Sequence, residues 1–157
     1  MRAFIGLGSN VGDRLENLRS AVVLLAFEPA IEVKGVSSVY ETEAQDDAAG
    51  QCDFYNAVVE VETELTPRDL LAASKRIERE LGREPASRRH APRPIDLDLL
   101  LVEGLRVADD DLVVPHPELE RRRFVLAPLL ELAPDLPYAD ALAAVGGQRV
   151  TRIDARL

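Results

Sequence analysis

A strand with acidic side chains at alternate positions is the feature that most constrains this chain. Residues 95–100 read Ile-Asp-Leu-Asp-Leu-Leu. Because strand side chains alternate between faces, Asp96 and Asp98 point to the same side, with Cα atoms roughly 6–7 Å apart at a rise of about 3.3 Å per residue. The other face is filled by Ile95, Leu97 and Leu99. We therefore predict a strand with one apolar face and one face that carries a carboxylate pair.

The carboxylate pair indicates a cation. Two neighbouring carboxylates repel each other and resist burial unless a positive charge neutralises them. Mg²⁺ prefers carboxylate oxygen and commonly shares phosphate oxygens of a substrate. Arg89 and Arg93 precede the strand, and guanidinium groups suit phosphate charge. The segment predicts a metal and phosphate site, although an Asp-x-Asp strand that simply faces solvent remains an alternative at this point.

Length and composition narrow the class of protein. The chain has 157 residues, which suits one domain, 1–157, with a core of its own. The net charge of −9 argues against a nucleic-acid binder. Arginines are nevertheless dense between positions 83 and 93 and again at 121–123. A basic island on an acidic protein favours a small anionic ligand held at one place.

Targeting and redox signals are absent from the sequence. The single cysteine leaves no partner for an internal disulfide and no cysteine cluster for zinc. No apolar run approaches the roughly 20 residues of a membrane-spanning helix, so no membrane partner is expected. The chain enters a strand at once, without a signal peptide. We therefore expect a cytoplasmic protein, and a monomer, since nothing suggests an obligate dimer.

The order of elements predicts the fold class. Asp13 and Glu16 form a capping box, Thr66 and Pro67 begin a second helix, and Gly82 ends it. The remaining periodicity predicts strands over 2–8, 31–42, 54–65 and 95–102, a hairpin returning at 112–114, partial helix over 118–132, and a short helix and strand near 139–145 and 149–153. This is a ferredoxin-like βαββαβ core of α+β class, with a largely antiparallel sheet, helices packed on it and a C-terminal extension.

Four segments together resemble one family. They are 6–13, with Gly-Leu-Gly-Ser-Asn at its start; 54–57, Phe-Tyr-Asn-Ala; 89–100, from Arg-His-Ala-Pro-Arg-Pro into the aspartate strand; and 115–128, which contains Pro-His-Pro and Arg-Arg-Phe-Val-Leu. In this order they resemble the 6-hydroxymethyl-7,8-dihydropterin pyrophosphokinase family. The resemblance covers residues 2–135, and the third segment is the most specific.

The resemblance implies an activity and its cofactors. The family transfers a pyrophosphoryl group from the co-substrate ATP to the hydroxymethyl oxygen of a reduced pterin and releases AMP. Such chemistry depends on positioning and charge neutralisation more than on covalent catalysis. By resemblance, Asp96 and Asp98 hold two Mg²⁺ ions, and Arg83 and Arg93 are catalytic-loop arginines that contact the transferring phosphates. The implied partners are small molecules, ATP and the reduced pterin, without nucleic acid or membrane.

The resemblance also assigns the pterin site. Phe54 and Phe124 match the aromatic side chains that sandwich the flat pterin, although packing in the core is the ordinary alternative for a phenylalanine. Asn56 shares the strand face of Phe54 and offers an amide donor and acceptor to the pterin edge. Thr42 and Ala44 fall where the family places backbone groups that read the same ring. Asp96 also lies at the substrate in this assignment.

The nucleotide site is assigned in the same way. The ATP contacts implied by the resemblance are Glu78, Arg83, Arg89, Arg93, Leu99, His116 and Arg122. For Glu78 a solvated helix face is a close alternative. The chain also departs from the family, because His90-Ala91 replaces the usual Trp-Gly of the loop that closes over the nucleotide and Pro85 replaces an arginine. These departures bear on ATP affinity more than on chemistry.

Other functions remain open at this point. A catalytically weak relative that binds pterin or nucleotide would not need both metal carboxylates together with Arg83 and Arg93. An unrelated Mg²⁺-dependent transferase on the same fold order would not need Phe54, Asn56 and Phe124. The sequence identifies no general base. We therefore expect an active Mg²⁺-dependent pyrophosphokinase.

Overall fold

The structure is a computed structural model that describes residues 1–42, 53–82 and 94–157. Its strands are β1 (Arg2–Ser9), β2 (Ile31–Val36), β3 (Val39–Thr42), β4 (Phe54–Thr63), β5 (Asp96–Val102), β6 (Val107–Ala108), β7 (Val113–Val114) and β8 (Val150–Ile153). Its α-helices are α1 (Arg14–Phe27), α2 (Pro67–Glu80), α3 (Arg123–Leu132) and α4 (Ala139–Ala144), and a 3-10 helix spans Leu119–Arg121. The predicted α+β class is confirmed.

Both predicted helix starts are confirmed by cap hydrogen bonds. The Asp13 carboxylate accepts the N–H of Glu16 at 3.0 Å, and the Thr66 hydroxyl accepts the N–H of Asp69 at 3.1 Å. Each bond satisfies an amide that the first turn of a helix leaves without an intrahelical partner. The caps fix where α1 and α2 leave the sheet, and thereby the lines along which they cross it.

One antiparallel sheet organises the molecule. Its strands follow the order β5-β1-β4-β3-β8, and β2 also pairs with β4. The predicted strand over 31–42 is wrong as one element, because it breaks at Ser37 into β2 and β3. The cause is a long-range contact: Ser37 donates its N–H to the Val58 carbonyl and accepts the Val58 N–H, both at 2.9 Å. A register shift between Val33 and Gly35 places a β-bulge in β2.

The sheet carries an apolar cluster on each face. Helices α1 and α2 pack on one face, over a cluster that includes Ile5, Leu25, Ile77, Leu97 and Leu99. Helix α3 packs on the other face, over a second cluster that includes Phe4, Val58, Leu100, Leu126 and Leu129. The second cluster covers only part of its face. The rest of that face, toward the end of the sheet where β5 and β4 begin, carries polar side chains.

The C-terminal segment returns to the sheet. The predicted helical stretch over 118–132 divides into the 3-10 helix and α3, and β8 pairs with β3 at the sheet edge. Glu131 joins α3 to β3, because its carboxylate accepts hydrogen bonds from the Tyr40 hydroxyl at 2.7 Å and from the Ser38 N–H at 2.9 Å. Among the described residues, no helix is both long and apolar enough to cross a membrane.

Candidate active site

The register of the sheet brings the aspartate pair beside residues that the resemblance assigns to the pterin. Gly8 of β1 is the partner of Asp96 on one side and of Asn56 on the other. Partners across a ladder point to the same face, as do residues two apart on one strand. Asp96, Asp98, Asn56 and Phe54 therefore share one face at one end of the sheet. Strand alternation alone could pair residues within a strand, but only the register joins the strands.

Thr42 completes this row. It is the register partner of Phe54, so its side chain lies on the same face. Its hydroxyl donates to the Arg149 carbonyl at 3.4 Å, and the residue is buried. Asn56 is also buried, and its amide nitrogen lies 3.5 Å from the Tyr40 carbonyl. Its Oδ1 atom points toward Gly8. The amide nitrogen of Asn56 therefore faces the Tyr40 carbonyl, and its oxygen faces Gly8.

Gly8 keeps the floor of the site open. A Cβ atom built on it would lie 3.3 Å from Asn56 Oδ1 and 3.7 Å from Phe54 Cδ1. Any larger residue at this position would therefore fill the space between the asparagine and the ring. Because Gly8 has no side chain, a ligand could approach the backbone of the sheet closely at this point.

The aspartate pair has the electrostatics of a cation site. Burial and the neighbouring Asp96 carboxylate raise the pKa of Asp98 to about 7, and Glu78 adds to the shift. Lys75 and Arg122 oppose it. A carboxyl whose pKa is raised by burial and by like charge gains stability when a cation arrives. The donor set, two carboxylates on one face, suits a hard divalent ion that takes its other ligands from phosphate and water.

The described residues hold no larger ligand cluster. Within 1–42, 53–82 and 94–157, no group of three or more His, Cys, Asp or Glu side chains converges as a metal site would require. An ion at Asp96 and Asp98 would take its remaining oxygen ligands from substrate phosphate and water. This agrees with Mg²⁺, which is usually held by one or two carboxylates plus substrate phosphates.

His116 lies beside the strand of aspartates in a defined tautomer. Its backbone N–H donates to the Leu100 carbonyl at 2.8 Å, which ties it to β5. Its Nδ1 atom accepts the Glu118 N–H at 3.1 Å. Burial and the Arg122 charge lower the pKa of His116. Because Nδ1 accepts an N–H, the proton of the neutral ring is on Nε2. The Nε2–H group is then a donor suited to a phosphate oxygen.

Arg122 and Phe124 flank the start of α3. The Arg122 guanidinium carbon lies 5.6 Å from the centre of the Phe124 ring, within the range of a cation–π contact. The charge of Arg122 acts on both Asp98 and His116. Because α3 packs against β4 and β3, Phe124 lies on the face of the sheet that carries Phe54. Both rings are only partly buried, so neither is consumed by the core.

Two residues that the resemblance assigns to ATP, Glu78 and Leu99, are buried in the structure. Glu78 is 3% exposed, so the alternative of a solvated helix face is wrong. Its Oε2 atom accepts the Leu97 N–H at 2.6 Å. Leu99 is buried in the cluster under α1 and α2, on the face opposite the aspartates. A contact between the Leu99 side chain and a nucleotide bound beside Asp96 is therefore not supported, because alternation turns that side chain away.

Some assigned residues lie outside the described residues. They are Ala44, Arg83, Arg89 and Arg93. The sequence did not single out two neighbours of the site that the structure identifies. Lys75 stands one helical turn before Glu78, with Nζ 3.4 Å from Oε1 of Glu78, a spacing of three residues that could have indicated the pair. Arg14 stacks over Tyr55 at 3.9 Å and donates to the Asp53 carbonyl at 2.7 Å, so it holds the start of β4.

Curated proteins of known name are similar to this chain over most of its length. A protein 45% identical over 156 residues, covering 99% of this chain and 93% of the relative, is the 2-amino-4-hydroxy-6-hydroxymethyldihydropteridine pyrophosphokinase of Methylorubrum extorquens. The enzyme of the same name from Bacillus subtilis is 46% identical over 130 residues, which cover 83% of this chain and 77% of that one.

Solved structures support the fold. An HPPK-DHPS crystal structure in complex with substrates superposes with a TM-score of 0.67 at 13% identity, over 91% of this chain, and the chain spans 43% of that longer protein. The Plasmodium falciparum HPPK-DHPS gives a TM-score of 0.63 at 14% identity, over 93% of this chain and 43% of that one. The model of the 7,8-dihydro-6-hydroxymethylpterin-pyrophosphokinase (HPPK) family matches residues 4–134. The chain therefore belongs to the HPPK family.

Proposed function

We propose that this protein transfers a pyrophosphoryl group from ATP to the hydroxymethyl oxygen of 6-hydroxymethyl-7,8-dihydropterin and releases AMP, a step of folate biosynthesis. The observation that carries the proposal is the register Asp96–Gly8–Asn56. It sets a carboxylate pair for the polyphosphate beside an amide and an aromatic ring for the heterocycle. A nucleotide site or a pterin site alone would not need this juxtaposition.

The pterin binds, in this proposal, over the open floor at Gly8. Phe54 and Phe124 stack on its faces, which is favourable for a planar heterocycle. Asn56 hydrogen-bonds its edge, and its fixed orientation supports recognition of one arrangement of donors and acceptors. Thr42 lies beside Phe54 and contributes backbone groups, with Ala44 following it in the chain. Together these residues place the hydroxymethyl oxygen toward the aspartates.

Asp96 and Asp98 would hold Mg²⁺. When bound, Mg²⁺ neutralises charge on the phosphates and orients the attacking and leaving oxygens. The carboxylates supply the hard oxygen ligands. The raised pKa of Asp98 means that its charged form is disfavoured without a cation, so a bound cation stabilises the pair. No described residue is needed as a covalent nucleophile, because phosphoryl-type transfer depends on alignment and charge neutralisation.

The phosphates meet cationic and neutral donors. His116 offers its Nε2–H group and Arg122 a planar guanidinium, which fits phosphate oxygens in pairs. Arg83, Arg89 and Arg93 are proposed to add phosphate contacts from the segment that precedes β5. Arginine charge at the bridging and terminal oxygens stabilises the transition state of such transfers. For Leu99, the proposal retains only a contact between its backbone and ATP, because its side chain is buried on the opposite face.

The wider setting is also a proposal. We propose that residues 1–157 act as one domain, and that the protein is a cytoplasmic monomer whose partners are ATP and the reduced pterin. The net charge of −9 supports the view that polyanionic nucleic acid is not a partner. The same net charge is compatible with a bound nucleotide, because Lys75 and Arg122 bring positive charge to the aspartate pair.

The direct test is AMP release from ATP and Mg²⁺, with and without 6-hydroxymethyl-7,8-dihydropterin. We expect AMP and pyrophosphorylated pterin in equal amounts, and no AMP without pterin. Asp96→Ala should abolish turnover, whereas Asp140→Ala, an exposed carboxylate of α4, should not. Pterin binding without AMP release would instead favour a binding protein, and AMP release that does not depend on pterin would contradict the assigned acceptor.

A further inference from the structure

A buried carboxylate supports the strand of the aspartate pair from behind. Glu78 is 3% exposed and projects from α2 toward β5, in the apolar cluster that also contains Ile77. A buried glutamate is rare unless its charge is satisfied. Its Oε2 atom accepts the Leu97 N–H at 2.6 Å, a short hydrogen bond of the kind that a charged acceptor makes.

The strand needs this acceptor because of its place in the sheet. Among the described residues, β5 ends the strand order β5-β1-β4-β3-β8 and has one strand neighbour, β1. The outward amides of an edge strand need acceptors from elsewhere. Leu97 is fully buried, so water cannot serve. The Glu78 carboxylate accepts the hydrogen bond that a neighbouring strand would otherwise accept from the Leu97 amide, which lies between Asp96 and Asp98.

The charge of Glu78 is itself supported. Lys75, one turn earlier on α2, places Nζ 3.4 Å from the Oε1 atom of Glu78. Lys75 is about half exposed and Glu78 is almost fully buried, with side-chain exposures of 46% and 3%. The ammonium group therefore brings a solvated positive charge to the outer oxygen while the inner oxygen accepts the amide. This arrangement keeps Glu78 an acceptor beneath the strand.

We propose that Glu78 is a positioning residue for the aspartate pair, which acts through the Leu97 amide rather than by touching the nucleotide. The hydrogen bond from the Leu97 N–H to Glu78 lies between Asp96 and Asp98 in the strand. It therefore fixes the position and twist of the backbone at both aspartates. The directions of the Asp96 and Asp98 carboxylates follow from that backbone. The proposal rests on the proposed function and replaces, for this residue, the ATP contact expected from the sequence.

The test compares Glu78→Gln with Glu78→Ala. Glutamine retains a carbonyl oxygen that can accept the Leu97 N–H, whereas alanine leaves that amide unpaired. We expect kcat to fall less than 10-fold in Glu78→Gln and at least 100-fold in Glu78→Ala, because a misplacement of about 1 Å can cost about 10²-fold. The KM for ATP should change little in either variant. Ser74→Ala is the matched control, since it removes a buried hydroxyl that bonds within α2, to the Leu70 carbonyl.

A readout that does not need turnover separates this proposal from the proposed function. The Leu97 amide proton should resonate downfield in the wild type, as expected for a short bond to a carboxylate, and should move upfield in Glu78→Ala. Mn²⁺ should broaden resonances near Asp96 at higher concentrations in Glu78→Ala than in the wild type. If the wild type released no AMP but these shifts appeared, the proposed function would fail and the positioning role would stand.

Two results would overturn the positioning role. In the first, Glu78→Gln and Glu78→Ala raise the KM for ATP equally while kcat is unchanged, which is the behaviour of a direct nucleotide contact. In the second, a thermal unfolding experiment shows that Glu78→Ala is folded, and the variant binds Mn²⁺ with the same affinity as the wild type. If Glu78→Ala does not fold, Glu78→Gln is compared with Ser74→Ala instead. A direct contact between Glu78 and ATP predicts that Glu78→Gln raises the KM for ATP and that Ser74→Ala does not, and this result would overturn the positioning role.

Discussion

Replacing Gly8 by alanine tests whether the floor of the site must stay open. The new Cβ would lie 3.3 Å from Asn56 Oδ1 and 3.7 Å from Phe54 Cδ1. It would therefore stand between the amide and the ring that we propose bind the pterin. The backbone at Gly8 is regular antiparallel strand, paired on both sides. Alanine can adopt that conformation, so the change adds a methyl group without backbone strain.

The expected effects on stability and on function differ in size. Alanine lowers the entropy of the unfolded chain, which stabilises by about 0.4–1 kcal/mol, while the 3.3 Å contact requires Asn56 to give by a few tenths of an ångström. These effects oppose each other, so the free energy of unfolding should stay within about 1 kcal/mol of the wild type. A ring that rests on the floor is raised by about 1 Å, and such a misplacement can cost about 10²-fold in rate.

Steady-state kinetics with varied pterin and urea unfolding measure the two effects separately. We expect kcat/KM for the pterin to fall about 100-fold, or about 2.7 kcal/mol, with the unfolding midpoint nearly unchanged. Gly6→Ala is the control, because its Cβ would meet the Leu100 side chain at 3.3 Å and would not approach Asn56 or Phe54. It should change kcat/KM for the pterin less than about 5-fold, an order-of-magnitude bound for a methyl group that does not contact Asn56 or Phe54. A folded Gly8→Ala protein with wild-type kcat/KM would refute the placement of the pterin.

Three further changes probe the site and its support. Burial and Asp96 raise the pKa of Asp98 to about 7, so metal-free wild type should lose stability as pH rises from about 4 to about 7. Asp98→Asn should remove that loss in urea unfolding with EDTA while abolishing turnover, and an unaltered pH profile would contradict the electrostatics. For Glu131, burial acts to raise the pKa, but hydrogen bonds led by that of Tyr40 outweigh it and the pKa is lowered. Its stabilisation is present above the unfolded pKa of about 4.3 and is lost as pH falls through the lowered folded-state pKa. The stability gap between wild type and Glu131→Gln should therefore narrow as pH falls below about 4, and a constant gap would contradict this. Phe124→Ala should weaken pterin binding in calorimetry by at least about 10-fold, or about 1.4 kcal/mol, with ATP binding nearly unchanged, and the reverse order would displace the proposed sandwich.

The parts of the fold that could be predicted depend on short-range rules. Alternation within 95–100 placed the aspartates on one face and Leu97 and Leu99 on the other, and the structure has the same alternation. The helix caps at Asp13 and Thr66 are bonds between residues three apart. Such features are fixed by local geometry, so one sequence is enough to identify them.

The parts that could not be predicted depend on contacts between distant residues. The break at Ser37 is set by Val58, 21 residues away. Glu78 lies on a polar stretch of α2, and no local pattern shows that its carboxylate meets the Leu97 amide of another element. Strand register, which joins Asp96 to Asn56 through Gly8, is likewise a property of the whole sheet. The resemblance to a family, rather than periodicity, linked these residues before the structure did.

The measurement that tests the central claim most directly is anomalous diffraction from crystals grown with Mn²⁺ and a non-hydrolysable ATP analogue. The account predicts ions about 2.1 Å from carboxylate oxygens of Asp96 and Asp98, with the polyphosphate completing their coordination. A bound nucleotide whose ions lie away from both aspartates would contradict the account.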